Sequence, residues 1–544
     1  MASWLFACLL TLVTVVVLPV PGVRAEVFTA LVHMEGLVSL EKELLGGLES
    51  YLELERQRLG RVEQFADRVR LALTSASQDP STHLSDPVNA YQLVNRFTNG
   101  WATLHDHVYE DNAQGLMANI SYYNFRFPDT EDFTGAVTAI LRLQDTYRLS
   151  PSLITSGKLG TTTTLPMTSE ESFQLAMDVY DSKDYRYARD WMKETLRLLD
   201  EEGHSSTVDL SDVYDHLSFA EYKLGNLKRA AHYTRLMLQN DPTHARAQRN
   251  VAYFEELIRT EPEKYINQDD ERGEEGEGET AESRESMTQY ERYQSLCRGP
   301  WPLPKEYDSE LTCFYYDNHR TPSLVIRPVK VEVVFHKPRI FMLRGILSER
   351  EMDRLKELAG PILKRATAKN ADSGKDEPAH YRISKSGWLS SKHDPLGYVD
   401  RIDRRIEDFT GLTMSTAEQL QVVNYGIGGH YEPHYDFGTD EASFTDGKDR
   451  NRIATVLFYL SDVELGGATV FPIVGARIQP FKGDAAFWWN LKKSGEGDML
   501  TRHAGCPVLV GTKWVCNKWI HEGGQEFRRR CGLTPNEESY GHSL

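Results

Sequence analysis

The chain is poor in cysteine. It has six, none in a Cys-x-x-Cys pair, which argues against a zinc ribbon or a thioredoxin-type site. It also lacks any surplus of positive charge. Lys and Arg number 62 against 80 Asp and Glu, a formal net charge of -18, so nucleic acid is a poor partner. Glycine at 39 and proline at 23 are near average, so the chain is not itself collagen-like. No apolar run beyond residue 25 is long enough to span a bilayer. What is present is a globular balance, 40% hydrophobic and 26% charged, over 544 residues. That length implies several domains.

Residues 1–25 read as a secretory signal peptide. Leu9 to Val20 is an apolar run of the right length, and Val23-Arg24-Ala25 has the usual cleavage spacing. The run stops at Pro19 and Pro21, too short for a membrane anchor. In an oxidising lumen the cysteines beyond Cys8 should pair locally, Cys297 with Cys313 and Cys506 with Cys531, which leaves Cys516 over. Asn119-Ile120-Ser121 is a glycosylation sequon.

The expected architecture is multidomain α+β. Residues 26–165 form a helical dimerisation region. There Leu31, Met34, Val38, Glu41, Leu45, Leu48, Leu52, Glu55, Leu59, Val62, Ala66, Val69 and Leu73 keep an alternating three-four spacing. That suits an intermolecular coiled coil, or equally a helix packed on its own domain, which Gly46-Gly47 favours. Residues 166–262 read as paired amphipathic helices of tetratricopeptide type, with small residues at crossings, Leu224-Gly225-Asn226 in a turn and an Asp241-Pro242 stop. Such pairs stack into a groove. Tyr180, Tyr185, Tyr187, Tyr214, Tyr222, Tyr233 and Tyr253 make it aromatic, as an extended proline-rich peptide requires. Residues 263–328 hold an acidic linker, densest from Asp269 to Glu282, and a disulfide loop. Residues 329–544, with a core at 420–530, are rich in strand-like runs. They read as a double-stranded β-helix, or jelly roll, with flanking helices.

The informative chemistry lies in Gly429-His430-Tyr431-Glu432-Pro433-His434-Tyr435-Asp436. On a strand, residues i and i+2 face one side, so His434 and Asp436 can share an ion. His503, far along the chain, completes a facial triad that leaves one metal face open. Lys513 follows ten residues later, and a buried lysine needs an anionic partner such as a dicarboxylate. Together these point to non-haem iron with 2-oxoglutarate. Core histidines satisfied by hydrogen bonds, or a zinc site, are the alternatives.

Four segments carry a resemblance: Asn424 to Asp436, Arg452 to Leu460, Gly466-Gly467-Ala468-Thr469-Val470-Phe471-Pro472, and Arg502 to Trp519. They resemble the α subunit of collagen prolyl 4-hydroxylase, in pattern most like its third isoform type. The resemblance implies His434, Asp436 and His503 as iron ligands. It implies Lys513 on the far carboxylate of 2-oxoglutarate, helped by Tyr425 and Thr469, with His521 assisting. It implies Arg246, Asn250 and Tyr253 as peptide-binding residues, and the same disulfides, Cys297–Cys313 and Cys506–Cys531. His216 and Phe219 stand where other members have tyrosines. The implied reaction is 4-hydroxylation of proline in X-Pro-Gly sequences. Fe(II) and O2 are used, 2-oxoglutarate is oxidatively decarboxylated to succinate and CO2, and L-ascorbate maintains the iron. The implied assembly is an α2β2 tetramer with protein disulfide isomerase in the endoplasmic reticulum lumen. Gly541-His542-Ser543-Leu544 is not a retention signal, so the partner would supply one. The competing readings are an inactive proline-rich-peptide adaptor, or a hydroxylase of another residue or ring position. The acidity is local: residues 330–544 carry 30 basic against 29 acidic side chains, and the rest 32 against 51.

Overall fold

A computed structural model describes residues 26–203, 207–260, 286–302, 310–369, 376–378, 381–439, 451–532 and 544. The expected signal peptide, residues 1–25, and the acidic run at 269–282 lie outside these. No described helix is long and apolar enough to cross a membrane.

Helix Leu31–Ala76 runs unbroken through Gly46-Gly47. Gly47 is where the Asn119 amide packs, 2.8 Å from where a Cβ would stand. The sequon therefore lies on a helix, Ala113–Tyr123, against a neighbour rather than in an open loop. The heptad stripe is only partly covered by its own chain. Val38, Leu45, Leu59 and Leu73 are more than half exposed. Val62, Ala66, Val69 and Leu73 line an open apolar groove with Trp101 and Leu104.

Helices Ser169–Asp181, Tyr185–Glu202, Leu210–Lys223, Leu227–Asn240 and Ala245–Thr260 stack in antiparallel order. Thr168 and Glu171 form a capping box that satisfies two free amide donors. Ala176, Ala188, Ala220 and Ala230 are fully buried, so the helix backbones approach closely around Trp191.

The carboxy-terminal part is two facing antiparallel sheets. The larger has the order Cys313–Tyr316, Val329–Phe335, Ile340–Arg344, Ala485–Trp489, Arg452–Tyr459, Trp514–His521, Leu420–Tyr425, Ser384–Leu389, Lys364–Arg365. The smaller has the order Ala476–Ile478, Thr469–Phe471, His503–Gly505, Tyr431–His434. Strand Arg452–Tyr459 is buried from Ile453 onward, as a central strand covered on both faces must be. Helices Glu349–Ala359 and Tyr398–Thr410 cover the outer face of the large sheet through Met352, Leu355, Ile402 and Ile406. Ser348 caps the first of them, reciprocally with Glu351.

The cysteines do not pair as expected. Cys297 bonds Cys506, 209 residues away, not Cys313, and Cys531 is likewise free. The reason is packing. Helix Gln289–Arg298 lies in the region read as linker, yet it docks on the small sheet. There Tyr293, Leu296 and Cys297 share a core with Ala468, Val470, Ala504 and Cys506. Cys313 instead begins the outermost strand of the large sheet and is exposed. Cys516 is free and buried, as the odd thiol should be. Non-reducing peptide mapping should recover one Cys297–Cys506 linkage. Cys313 and Cys531 should alkylate in the native protein, and Cys516 only after unfolding.

Candidate active site

His434 is the last residue of strand Tyr431–His434, and His503 opens strand His503–Gly505. The register places them directly opposite each other. Asp436 does not continue the strand. It stands in the bend that follows, and still converges: its carboxylate oxygens lie 3.7 Å from His434 Nε2 and 3.6 Å from His503 Nε2. All three ligand atoms lie within 4.8 Å of one another, and among the described residues no other such group occurs.

The donor set fits a metal. His434 Nδ1 lies 2.7 Å from the Glu432 carbonyl, and His503 Nδ1 lies 3.0 Å from the Thr501 carbonyl. A carbonyl only accepts, so each Nδ1 carries the proton and each Nε2 keeps a free lone pair facing the cluster. Burial, and then the neighbouring His503, push the His434 pKa down to about 3, which keeps the ring neutral. Burial alone would raise the Asp436 carboxyl. Against it stand the charge of Arg452 and the hydrogen bond from the Thr455 hydroxyl, and the group stays below the usual range. Thr455 Oγ1 donates to Asp436 Oδ2 at 2.6 Å, and Asn490 Nδ2 donates in turn to Thr455 at 2.9 Å.

Next to this cluster lies a narrow, partly open cleft with about 30 Å3 of free space. Tyr425, Thr469 and Lys513 line it, with Tyr431, Trp488, Asn517 and Trp519. Lys513 is buried, and no described carboxylate pairs with it. Burial pushes its pKa down to about 7. Its ammonium sits 4.8 Å over the Tyr425 ring. A Cβ on Gly505 would lie 3.6 Å from Lys513 Nζ and 3.7 Å from the Tyr425 hydroxyl, so the two groups converge over that glycine. Thr469 Oγ1 accepts from Tyr459 at 2.8 Å. A cation, the Tyr425 hydroxyl and the Thr469 hydroxyl thus line one part of the cleft, and two histidines and a carboxylate line another.

His521 is placed differently from expectation. It does not line the cleft. Its Nε2 meets Glu418 at 3.1 Å, Glu418 is held by Arg452 Nε, and Arg452 Nη1 reaches the Asp436 carbonyl at 3.3 Å. Its link to the cluster runs through two other side chains. His430 is buried and stands outside the three-residue cluster. Sequence reasoning missed Thr455, Asn490, Tyr459 and Arg452, because hydroxyls, amides and arginines in strands carry no motif of their own.

In the helical repeats one aromatic path is continuous. His216 meets Tyr180 at 4.8 Å, Phe219 meets Tyr180 and Tyr185 at 5.8 and 5.9 Å, and Tyr222 bridges Phe219 to Tyr253 at 6.3 Å each. His216 and Phe219 are therefore both part of the path. Tyr253 is half exposed on this path, and Arg246 is paired with Asp215. Tyr214 and Tyr233 stack on each other, and Tyr187 is buried in packing.

Removing the Thr455 hydroxyl should loosen Asp436 without touching a ligand atom. Thr455→Val should weaken metal retention about 10- to 100-fold. His434→Ala, Asp436→Ala and His503→Ala should abolish it. Metal content after equilibrium dialysis checks both.

Comparison with known proteins follows the same division of the chain. Residues 30–161 match the prolyl 4-hydroxylase alpha-subunit N-terminal region. Residues 169–260 match the prolyl 4-hydroxylase peptide-substrate-binding domain, and 420–521 the 2OG-Fe(II) oxygenase superfamily. The chain is 43% identical to prolyl 4-hydroxylase subunit alpha-1 of Gallus gallus, over 94% of its own length and 100% of the relative's. It is 42% identical to the Homo sapiens subunit alpha-1, over 96% of its own length and 98% of the relative's. It is 40% identical to subunit alpha-2 of Gallus gallus, over 94% and 96%. With such identity along nearly the full length of both partners, and an iron-type triad beside a buried lysine in the oxygenase segment, the chain belongs to the prolyl 4-hydroxylase alpha subunit family and is a 2-oxoglutarate- and iron(II)-dependent proline hydroxylase.

Proposed function

We propose that this chain is the catalytic subunit of a hydroxylase that oxidises C4 of proline in collagen-like X-Pro-Gly peptides. The observation that carries the reading is the convergence of His434, Asp436 and His503 beside an unpaired, buried Lys513. His434, Asp436 and His503 hold the iron. When bound with 2-oxoglutarate and O2, the iron supplies the oxidising power for inserting oxygen into a C–H bond, while the cosubstrate is converted to succinate and CO2.

The protein's own groups bind and orient. Lys513 pairs with the far carboxylate of 2-oxoglutarate, and the Tyr425 and Thr469 hydroxyls fix its position. Burial makes that pairing strong, because no water competes. Thr455 and Asn490 lock Asp436, and the Glu432 and Thr501 carbonyls lock the histidine rings. His521 acts through Glu418 and Arg452. Arg246, Asn250 and Tyr253 hold the peptide on the aromatic path. A separate peptide site raises the local concentration of target prolines near the iron.

The wider setting is part of the proposal. An α2β2 tetramer with protein disulfide isomerase, in the endoplasmic reticulum lumen and maintained by ascorbate, follows from the likeness to the family. The open apolar groove beside helix Leu31–Ala76 supports a dimer contact there. Within one species, identities of 43% to alpha-1 and 40% to alpha-2 are nearly equal, which supports a third isoform type.

Lys513→Ala should raise the 2-oxoglutarate KM by at least about tenfold, the order expected for an unpaired buried charge partner. The peptide KM should stay unchanged. The pH dependence has a definite sign. With its pKa down to about 7 in the free protein, Lys513 must take up a proton to pair with the carboxylate above that pH. Cosubstrate affinity is therefore full below about pH 7 and falls as pH rises, with proton uptake measurable by calorimetry in two buffers. Peptide-driven succinate release, with mass spectrometry showing 4-hydroxyproline, distinguishes this enzyme from an inactive adaptor and from a hydroxylase of another position.

A further inference from the structure

The cosubstrate cleft has a support that belongs to neither sheet. Residues 26–33, which lead into helix Leu31–Ala76, lie against the turn that follows strand Leu420–Tyr425. The Ile427 amide donates to the Phe28 carbonyl at 3.1 Å. The Val32 amide, in the first turn of the helix and so without an intrahelical partner, donates to Asn424 Oδ1 at 3.2 Å. Asn424 is fully buried, and its other end donates to the Lys513 carbonyl at 3.4 Å. The Tyr425 amide donates to that same carbonyl at 3.1 Å. One asparagine side chain thus joins the amino-terminal segment to the backbone of the cosubstrate lysine.

The fit is close. A Cβ at Gly426 would fall on the Phe28 carbonyl and 2.5 Å from the Thr29 carbonyl carbon, so only glycine lets the two backbones meet. The segment is itself anchored. Asp132 accepts from the Val27 and Phe28 amides, and Glu26 pairs with Arg365 at 2.9 Å. His33 Nδ1 meets Lys385 Nζ at 2.7 Å, and the Phe28 ring lies against Gly135 of helix Thr130–Tyr147.

We propose that residues 26–33 are a positioning strap for the cosubstrate site. Through Asn424 and Gly426 they hold Tyr425 and Lys513 in the separation that accepts the far carboxylate of 2-oxoglutarate. Among the described residues the strap's contacts do not include His434, Asp436 or His503, so Phe28 and Gly426 act as positioning residues. The inference rests on the role given to Lys513 under the proposed function.

The test uses the full-length chain in the complex in which it is active. Phe28→Ala removes the ring that seats the strap, and Gly426→Ala forces the two backbones apart. Both should raise the 2-oxoglutarate KM, and the dissociation constant measured without peptide, by about tenfold, as expected when positioning is relaxed by a fraction of an ångström. The kcat at saturating cosubstrate and the peptide KM should stay within about twofold of the parent, the split expected when only cosubstrate binding is lost. Phe28→Leu, which refills the seat, should restore cosubstrate affinity. An unchanged 2-oxoglutarate KM in Phe28→Ala overturns the strap whether or not Gly426→Ala folds. So does a parallel loss of kcat and both KM values with the melting temperature. Lys513→Ala runs alongside: if it leaves cosubstrate binding intact, the role of Lys513 fails independently of the strap.

Discussion

The site depends on one cross-strand register, His434 opposite His503 in the small sheet. Side chains directly opposite on antiparallel strands are close by construction, so two imidazoles can share an ion without any loop to hold them. A slip of one residue would send one ring to the other face. Asp436 comes from the bend after the strand, where the backbone is free to swing the carboxylate between the two rings. The large sheet then fixes it from behind with Thr455 and Asn490. The facing of the two sheets is therefore what turns a pair of histidines into a three-ligand site with its remaining side open to the cleft.

The second constraint is a cation kept without a partner. Lys513 is nearly solvent-free, and burial alone lowers its affinity for a proton. Such a group is costly in the free protein and is stabilised by an anion that can reach it. The cost is offset locally by a rigid frame. Lys513 precedes strand Trp514–His521, its carbonyl is gripped by the Tyr425 amide and the Asn424 side chain, and its ammonium lies over an aromatic ring. The site sits in a segment with almost no net charge. The acidity of the chain belongs to its amino-terminal regions.

Peptide recognition is built differently, on rings that touch in series from His216 to Tyr253. The faces of these rings, rather than any one hydroxyl, give the groove its continuity. That is why His216 and Phe219 fit the path. A flat aromatic surface suits repeated prolines, whose rings are already presented by an ordered backbone.

Much was legible in the sequence because the signals are local. Apolar spacing located the repeat helices and the long amino-terminal helix. The Ser348 cap marked its helix start, and apolar and aromatic runs located strands Leu420–Tyr425 and Ala485–Trp489. The pattern His434-Tyr435-Asp436, then His503, then Lys513 named the chemistry, because few other uses require those types in that order. Tertiary structure decided what depends on distance through space. It paired Cys297 with Cys506, because helix Gln289–Arg298 packs on the small sheet while Cys313 goes to the far edge of the large one. It drew His521 to Glu418 instead of into the cleft, and it brought residues 26–33 against Asn424 and Gly426. Sequence determines the identity of each group and the local path of the backbone. Which groups meet across 100 to 400 residues is set by the packing of whole elements, and no spacing along the chain encodes that.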